Sequence, residues 1–115
     1  MKIHHVALLV SDCERSARFY ADVLGLRETR RQPDGDGLRS VWLAAGDAVI
    51  MVERSMRGRQ QAAGSGHLLC FAVEDLDAWE RRLRDHDVAV EDRTPSTLYF
   101  SDPDGHRVGV SVFAF

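Results

Sequence analysis

Residues 3–12 read IHHVALLVSD and residues 67–75 read HLLCFAVED, and the two stretches follow one plan. Each is a short apolar run typical of a β-strand that ends in an acidic residue, and a stretch with helical spacing follows each. An offset of 63 residues places Val10 on Val73 and Asp12 on Asp75. A unit that repeats at a fixed offset predicts two copies of the same module.

An amphipathic helix is predicted after each of these strands. Asp12 and Asp75 stand where the N-cap of such a helix is expected, and Gly25 stands where the first helix should end. The residues that make up the two apolar stripes are Ala17, Tyr20, Val23 and Leu24 in the first helix and Leu76, Trp79 and Leu83 in the second.

Three further strands are predicted in each copy. In the first copy they cover about 27–32, 39–45 and 48–54, and in the second about 88–92, 97–102 and 107–113. The sequence Asp-Pro-Asp-Gly at 102–105 is a strong hairpin signal, because proline presets φ and glycine accepts a positive φ. The sequence therefore predicts a single α+β domain, 1–115, made of βαβββ modules at 1–54 and 67–115 joined by a linker at 55–66.

The composition is that of an ordinary globular domain. The chain has 115 residues, of which 44% are hydrophobic and 29% charged, and its formal net charge is −3. This charge argues against a nucleic-acid partner, and no apolar run has the length that a membrane span requires. Because Cys13 and Cys70 are isolated and the N-terminus lacks the features of a signal peptide, the expected location is the cytoplasm.

Alternation along the strands separates two kinds of face. Wholly aliphatic sets such as Val108 and Val110 are predicted to pack under the helices. The opposite sets mix small, aromatic and polar residues, and they are predicted to line a concave surface. Apolar walls with a few polar groups are what a small-molecule pocket requires.

This pattern resembles the vicinal oxygen chelate superfamily, which includes glyoxalase I, extradiol dioxygenases, fosfomycin-resistance enzymes and bleomycin-resistance proteins. Four segments that span nearly the whole chain carry the resemblance: 5–12, 15–26, 73–76 and 102–105. The resemblance implies a fold of two βαβββ modules whose sheets curl around a cleft.

The resemblance also implies where a metal ion would bind. Metal-dependent members are similar to one another in four ligands, usually His or Glu, one from each of four strands. These positions fall on His5, Met51, Leu68 and Gly109, of which only His5 suits a divalent ion. The chain therefore resembles the metal-free, bleomycin-resistance-like branch most closely, and no cofactor is expected.

The leading hypothesis is a homodimeric protein that binds or sequesters a metabolite or antibiotic, with neither a nucleic acid nor a membrane as partner. The candidate pocket residues are His5, Trp42, Met51, Glu53, Leu68, Cys70, Tyr99, Arg107, Gly109 and Ser111. One alternative is a lyase, isomerase or dioxygenase that depends on Zn, Ni, Mn or Fe, with His5, Glu53 and His67 as ligands. A second alternative is a non-catalytic interaction module.

Overall fold

A computed structural model describes residues 1–56 and 67–115. The chain divides into two compact units, Met1–Ala62 and Ala63–Phe115. Apart from residues 55 and 56, the predicted linker at 55–66 lies outside the described residues. The assignment of both modules to a single domain stays a prediction.

The first unit contains one mixed sheet of four strands. Its elements are β1 (His5–Leu9), α1 (Cys13–Arg18), a π-helical segment (Phe19–Val23), β2 (Arg27–Asp34), β3 (Gly37–Ala45) and β4 (Ala48–Glu53). The strand order is β1-β4-β3-β2, and β1 pairs with β4 in parallel while the other two pairs are antiparallel.

The second unit repeats this arrangement. Its elements are β5 (Leu69–Ala72), α2 (Leu76–Asp85), β6 (Asp92–Arg93), β7 (Thr97–Ser101) and β8 (Arg107–Ser111). The strand order is β5-β8-β7-β6, and β5 pairs with β8 in parallel. The predicted α+β class, with strand, helix and three strands in each copy, is confirmed.

The strands expected at 88–92 and 107–113 are clearly shorter in the structure. The strand expected at 88–92 is reduced to Asp92 and Arg93, which pair with Tyr99 and Leu98 of β7. The last strand ends at Ser111 and not at 113. Val112 N–H donates to the Ser96 carbonyl oxygen and Phe113 N–H donates to Ser111 Oγ.

The first helix changes its winding halfway. The sequence predicts one regular helix, but the backbone passes from α1 into a π-helical turn at Phe19. The predicted stripe is nevertheless buried, and Tyr20 is fully enclosed. Gly25 follows with φ of +76°, which agrees with its predicted place at the helix end.

The predicted aliphatic faces form the core of each unit. Helix α1 packs on β3 and β4, and helix α2 packs on β7 and β8. The side chains buried on the helix-covered faces are Leu8, Val41, Leu43, Ile50 and Val52 in the first unit and Leu98, Phe100, Val108 and Val110 in the second. Within the described residues, no helix combines the length and apolar character needed to cross a bilayer.

Asp75→Ala is expected to lower the free energy of unfolding by about 1 kcal/mol, the usual effect of removing an N-cap. The Asp75 carboxylate accepts a hydrogen bond of 3.1 Å from Ala78 N–H at the start of α2, as Asp12 does from Arg15 N–H at α1. Urea denaturation measures the loss. Asp77→Ala, which removes a charge from the same turn without removing the cap, is the control, and equal losses in the two variants would contradict the assignment.

Candidate functional site

Each sheet has a face opposite the one that its helix covers. On the first sheet, one row across this face consists of Ala7, Met51, Trp42 and Arg30, which are partners in register from β1 to β2. Met51 and Trp42 are half-buried. This is the mixed face of the first sheet, and it brings two predicted pocket residues side by side.

A hydrogen-bonded network ends on a carboxylate on this face. Trp42 Nε1 donates to Ser40 Oγ at 2.9 Å, and Ser40 Oγ lies 3.4 Å from Glu53 Oε1, to which it can donate. Ser40 is only 1% exposed, and it pairs in register with Glu53. The network fixes both the indole ring and one carboxylate oxygen, so these groups are already ordered before a ligand arrives.

Two charged side chains, Arg30 and Glu53, lie at opposite ends of this network. The Arg30 guanidinium carbon lies 5.0 Å from the centroid of the Trp42 ring. Glu53 is half-buried at the end of β4, and in the described part of the chain no Lys, Arg or His side chain forms an ion pair with it. The face therefore offers an aromatic surface beside a carboxylate that no cation among residues 1–56 and 67–115 contacts as an ion pair.

His5 lies at the other end of the first sheet. It begins β1, while Glu53 pairs with Leu9, four residues further along the same strand. This spacing corresponds to about 13 Å at the rise of a strand. The structure therefore does not bring His5 to Glu53, and the His5 ring contacts that of His4, with 2.8 Å between their Nδ1 atoms.

On the second sheet, Cys70, Gly109 and Tyr99 form one row in register. A Cβ atom added at Gly109 would lie 3.1 Å from Cys70 Sγ and 3.4 Å from the Leu98 carbonyl oxygen. The space beside this glycine is therefore partly occupied by the Cys70 sulfur. Although Cys70 is exposed, partial burial of its thiol raises the pKa, which favours the protonated form and makes it a poor nucleophile.

The remaining predicted residues of this sheet differ in their surroundings. Ser111 Oγ lies 2.8 Å from Thr97 Oγ1 and 3.2 Å from the Ser96 carbonyl oxygen, so it serves to close the end of the β7–β8 pair. Arg107 is exposed at the start of β8, and Leu68 is exposed immediately before β5.

Sequence reasoning missed Ser40 and Arg30. The signal was present, because Ser40 and Trp42 are two residues apart on one strand and therefore share a face. What the sequence lacked was the register that sets Ser40 opposite Glu53 and Arg30 opposite Trp42.

The side chains at the metal-ligand positions of the resemblance do not fit a metal ion. Met51, Leu68 and Gly109 supply no hard donor beside His5. Across residues 1–56 and 67–115, no three His, Cys, Asp or Glu side chains are grouped as a catalytic metal centre requires. His67, the third ligand of the alternative hypothesis, contacts His106 instead.

Known proteins are similar to this chain in sequence over most of its length. A family model described as Glyoxalase/Bleomycin resistance protein/Dioxygenase superfamily matches residues 2–110. The chain is 31% identical over 116 residues to the metallothiol transferase FosB of Bacillus licheniformis, a match that covers 91% of this chain and 71% of that protein.

Solved structures share the fold over nearly the whole chain. The lactoylglutathione lyase from Agrobacterium tumefaciens is similar with a TM-score of 0.76 and 28% identity, covering 96% of this chain and 92% of that one. TnmS3, described as an antibiotic binding protein from Streptomyces sp. CB03234, is similar with a TM-score of 0.75 and 27% identity, covering 96% of this chain and 94% of that one.

These matches correct one expectation. The prediction that the protein has no cofactor is wrong, because a relative at 31% identity is a transferase whose name states a metal. The expectation rested on the ligand positions alone. Similarity across most of the chain links it to metal-dependent relatives, so a metal-free branch is not a sound assignment.

Proposed function

Because the chain belongs to the Glyoxalase/Bleomycin resistance protein/Dioxygenase superfamily, we propose that it binds a small organic molecule, an antibiotic or a metabolite, on the mixed face of its first sheet. The ligand is flat and aromatic, and it carries a cationic group. The observation that carries this proposal is the network from Trp42 through Ser40 to Glu53.

The chemistry of the network selects the ligand class. A half-buried carboxylate that forms no ion pair with a described residue gains most from a cationic partner, and charge-assisted hydrogen bonds are the strongest that it can accept. An aromatic ligand stacks on the indole of Trp42, and Met51 beside it adds an adaptable apolar contact. The similarity to TnmS3, described as an antibiotic binding protein, supports an antibiotic as one candidate ligand.

Glu53→Gln is expected to weaken binding of an aromatic amine by about tenfold, which corresponds to about 1.4 kcal/mol. The probes are 1-naphthylmethylamine and the matched anion 1-naphthoate, titrated into ¹⁵N-labelled protein. The indole N–H resonance of Trp42 should shift with the amine much more than with the naphthoate. The resonance of Trp79, which lies on α2, should not move and serves as an internal control.

Each titration is run with a chelator and again with an added divalent ion, because the relatives include a metallothiol transferase. A cation-binding role predicts that Glu53→Gln weakens binding under both conditions. If the variant weakened binding only when the metal ion is present, Glu53 would act as a metal ligand and the proposal would fail. Equal affinity of the variant and the parent protein for the amine would also contradict it.

The expected homodimer remains a prediction. Light scattering of the eluted peak in size-exclusion chromatography measures the mass directly, with 12.9 kDa expected for a monomer and twice that for the dimer.

A further inference from the structure

Two histidines meet at the end of the second sheet, in a place that the proposed ligand face does not include. Strands β5 and β8 run in parallel with Leu69 opposite Val108. His67 lies two residues before Leu69 and His106 lies two residues before Val108, so the same register sets the two histidines opposite each other. Neighbouring strands lie about 4.8 Å apart, so facing side chains of this pair can meet. Their ring nitrogens, His67 Nε2 and His106 Nδ1, are 3.3 Å apart.

The separation of these nitrogens is that of two ligands on one metal ion. With Zn–N bonds of about 2.0–2.1 Å, two ligands at a tetrahedral angle lie about 3.3–3.4 Å apart. We propose that His67 and His106 bind one divalent transition-metal ion, Zn²⁺, Ni²⁺ or Cu²⁺. The ion lies between the two ring nitrogens, and water molecules complete its coordination.

The backbone of one of the two ligands, His106, is held in place before the ion binds. His106 N–H donates to Asp102 Oδ1 at 2.9 Å, and the His106 carbonyl oxygen accepts from Asp102 N–H at 2.9 Å. Asp102 is only 5% exposed, and its Oδ1 also accepts from Asp104 N–H. A backbone anchored from both sides reduces the ordering that metal binding requires.

This pair is not the metal centre that the family resemblance implies. The family positions on these strands are Leu68 and Gly109, and Gly109 lies in the row with Cys70 and Tyr99. His67 is one residue before Leu68, and His106 is three residues before Gly109. Side chains an odd number of residues apart lie on opposite faces of a sheet, so both histidines lie on the face opposite Leu68 and Gly109. Imidazole pairs favour Zn²⁺, Ni²⁺ and Cu²⁺ over Mg²⁺, which prefers oxygen ligands.

The first unit supplies a matched comparison. There β1 and β4 pair with His5 opposite Val49, so the residues one step earlier are His4 and Ala48. The offset of 63 residues relates His4 to His67, whereas the position equivalent to His106 holds Ala48. Only the second unit therefore has a histidine on both strands at this level, and Ala48→His should create the same arrangement in the first.

The test is calorimetric titration of the tag-free full chain with Zn²⁺, repeated with Ni²⁺ and with Mg²⁺. His67→Ala and His106→Ala should each lower the Zn²⁺ affinity by about tenfold or more, since even loss of a hydrogen bond to a metal ligand lowers affinity by 10–100-fold. His86→Ala, at the C-terminal end of α2, should leave it unchanged. Ala48→His should add a second equivalent of bound Zn²⁺.

Imidazole ¹⁵N resonances provide a second readout, because those of His67 and His106 should shift with Zn²⁺ while that of His86 on α2's C-terminal side should not. The circular dichroism of each variant shows that it is folded. Unchanged Zn²⁺ affinity in both alanine variants, an equal loss in His86→Ala, or equal binding of Mg²⁺ would each overturn the proposal. Failure here leaves the proposed ligand face untouched, since the two tests share no residue.

Discussion

Phe100→Ala is expected to lower the free energy of unfolding by about 3–5 kcal/mol, because it leaves a large cavity in a closely packed core. Phe100 lies on β7 beneath α2 and is only 1% exposed. Its neighbours on the same face, Leu98 and Val108, are buried as well and are fixed in the ladder, so they cannot fill the space.

Phe113→Ala is the matched control, since Phe113 is 58% exposed beyond the end of β8. Its effect should stay below about 1 kcal/mol, as for most surface substitutions. Urea denaturation measures both variants. Domains of this size are stable by only about 5–15 kcal/mol, so Phe100→Ala should also reduce the yield of folded protein. Similar losses for the two variants would contradict the assignment of Phe100 to the core.

Asp102→Ala is expected to lower the free energy of unfolding by about 2–4 kcal/mol, because it leaves two backbone donors in the turn without their acceptor. The Asp102 Oδ1 atom accepts from Asp104 N–H and His106 N–H at 2.9 Å each, and the residue is nearly buried. The hairpin between β7 and β8 depends on these bonds as well as on Gly105, whose φ is +83°.

Asp102→Asn keeps a side-chain oxygen that can accept these bonds but removes the negative charge. Measured in the same experiment, it separates the effect of the acceptor from the effect of the charge. The amide oxygen of asparagine can accept both bonds, so we expect a loss of about 1 kcal/mol, since hydrogen bonds to a charged group are stronger than those to a neutral one. If the asparagine and alanine variants lost the same stability, the carboxylate would not act as the acceptor that organises the turn.

Much of the fold can be predicted from the sequence, because its signals are local. Asp12 and Asp75 both cap a helix through a hydrogen bond to the third residue beyond them, as their position before an apolar stripe predicts. Alternation along β3 correctly separates Val41 and Leu43, which are buried, from Trp42, which is half-buried. Strand alternation and helix N-caps depend only on residues that are close together in the sequence.

The rest depends on contacts between residues far apart in the chain. Ser40 faces Glu53 and His67 faces His106 only because the strands pair in one particular register. The space beside Gly109 could be inferred from the sequence, but the sulfur of Cys70 that partly fills it could not. The switch from α-helical to π-helical winding at Phe19 also has no clear signal in the sequence.

One edge strand of each sheet has features that oppose aggregation. A sheet edge exposes unpaired backbone groups that can recruit a strand of another molecule, and charge, proline or brevity discourages this. Strand β2 is an edge of the first sheet, and it carries Arg27, Glu28, Arg30, Arg31 and Pro33 within eight residues. The corresponding edge of the second sheet is β6, which has two residues. The chain thus protects equivalent edges of its two sheets from self-association by different means, charge and proline in one and shortness in the other.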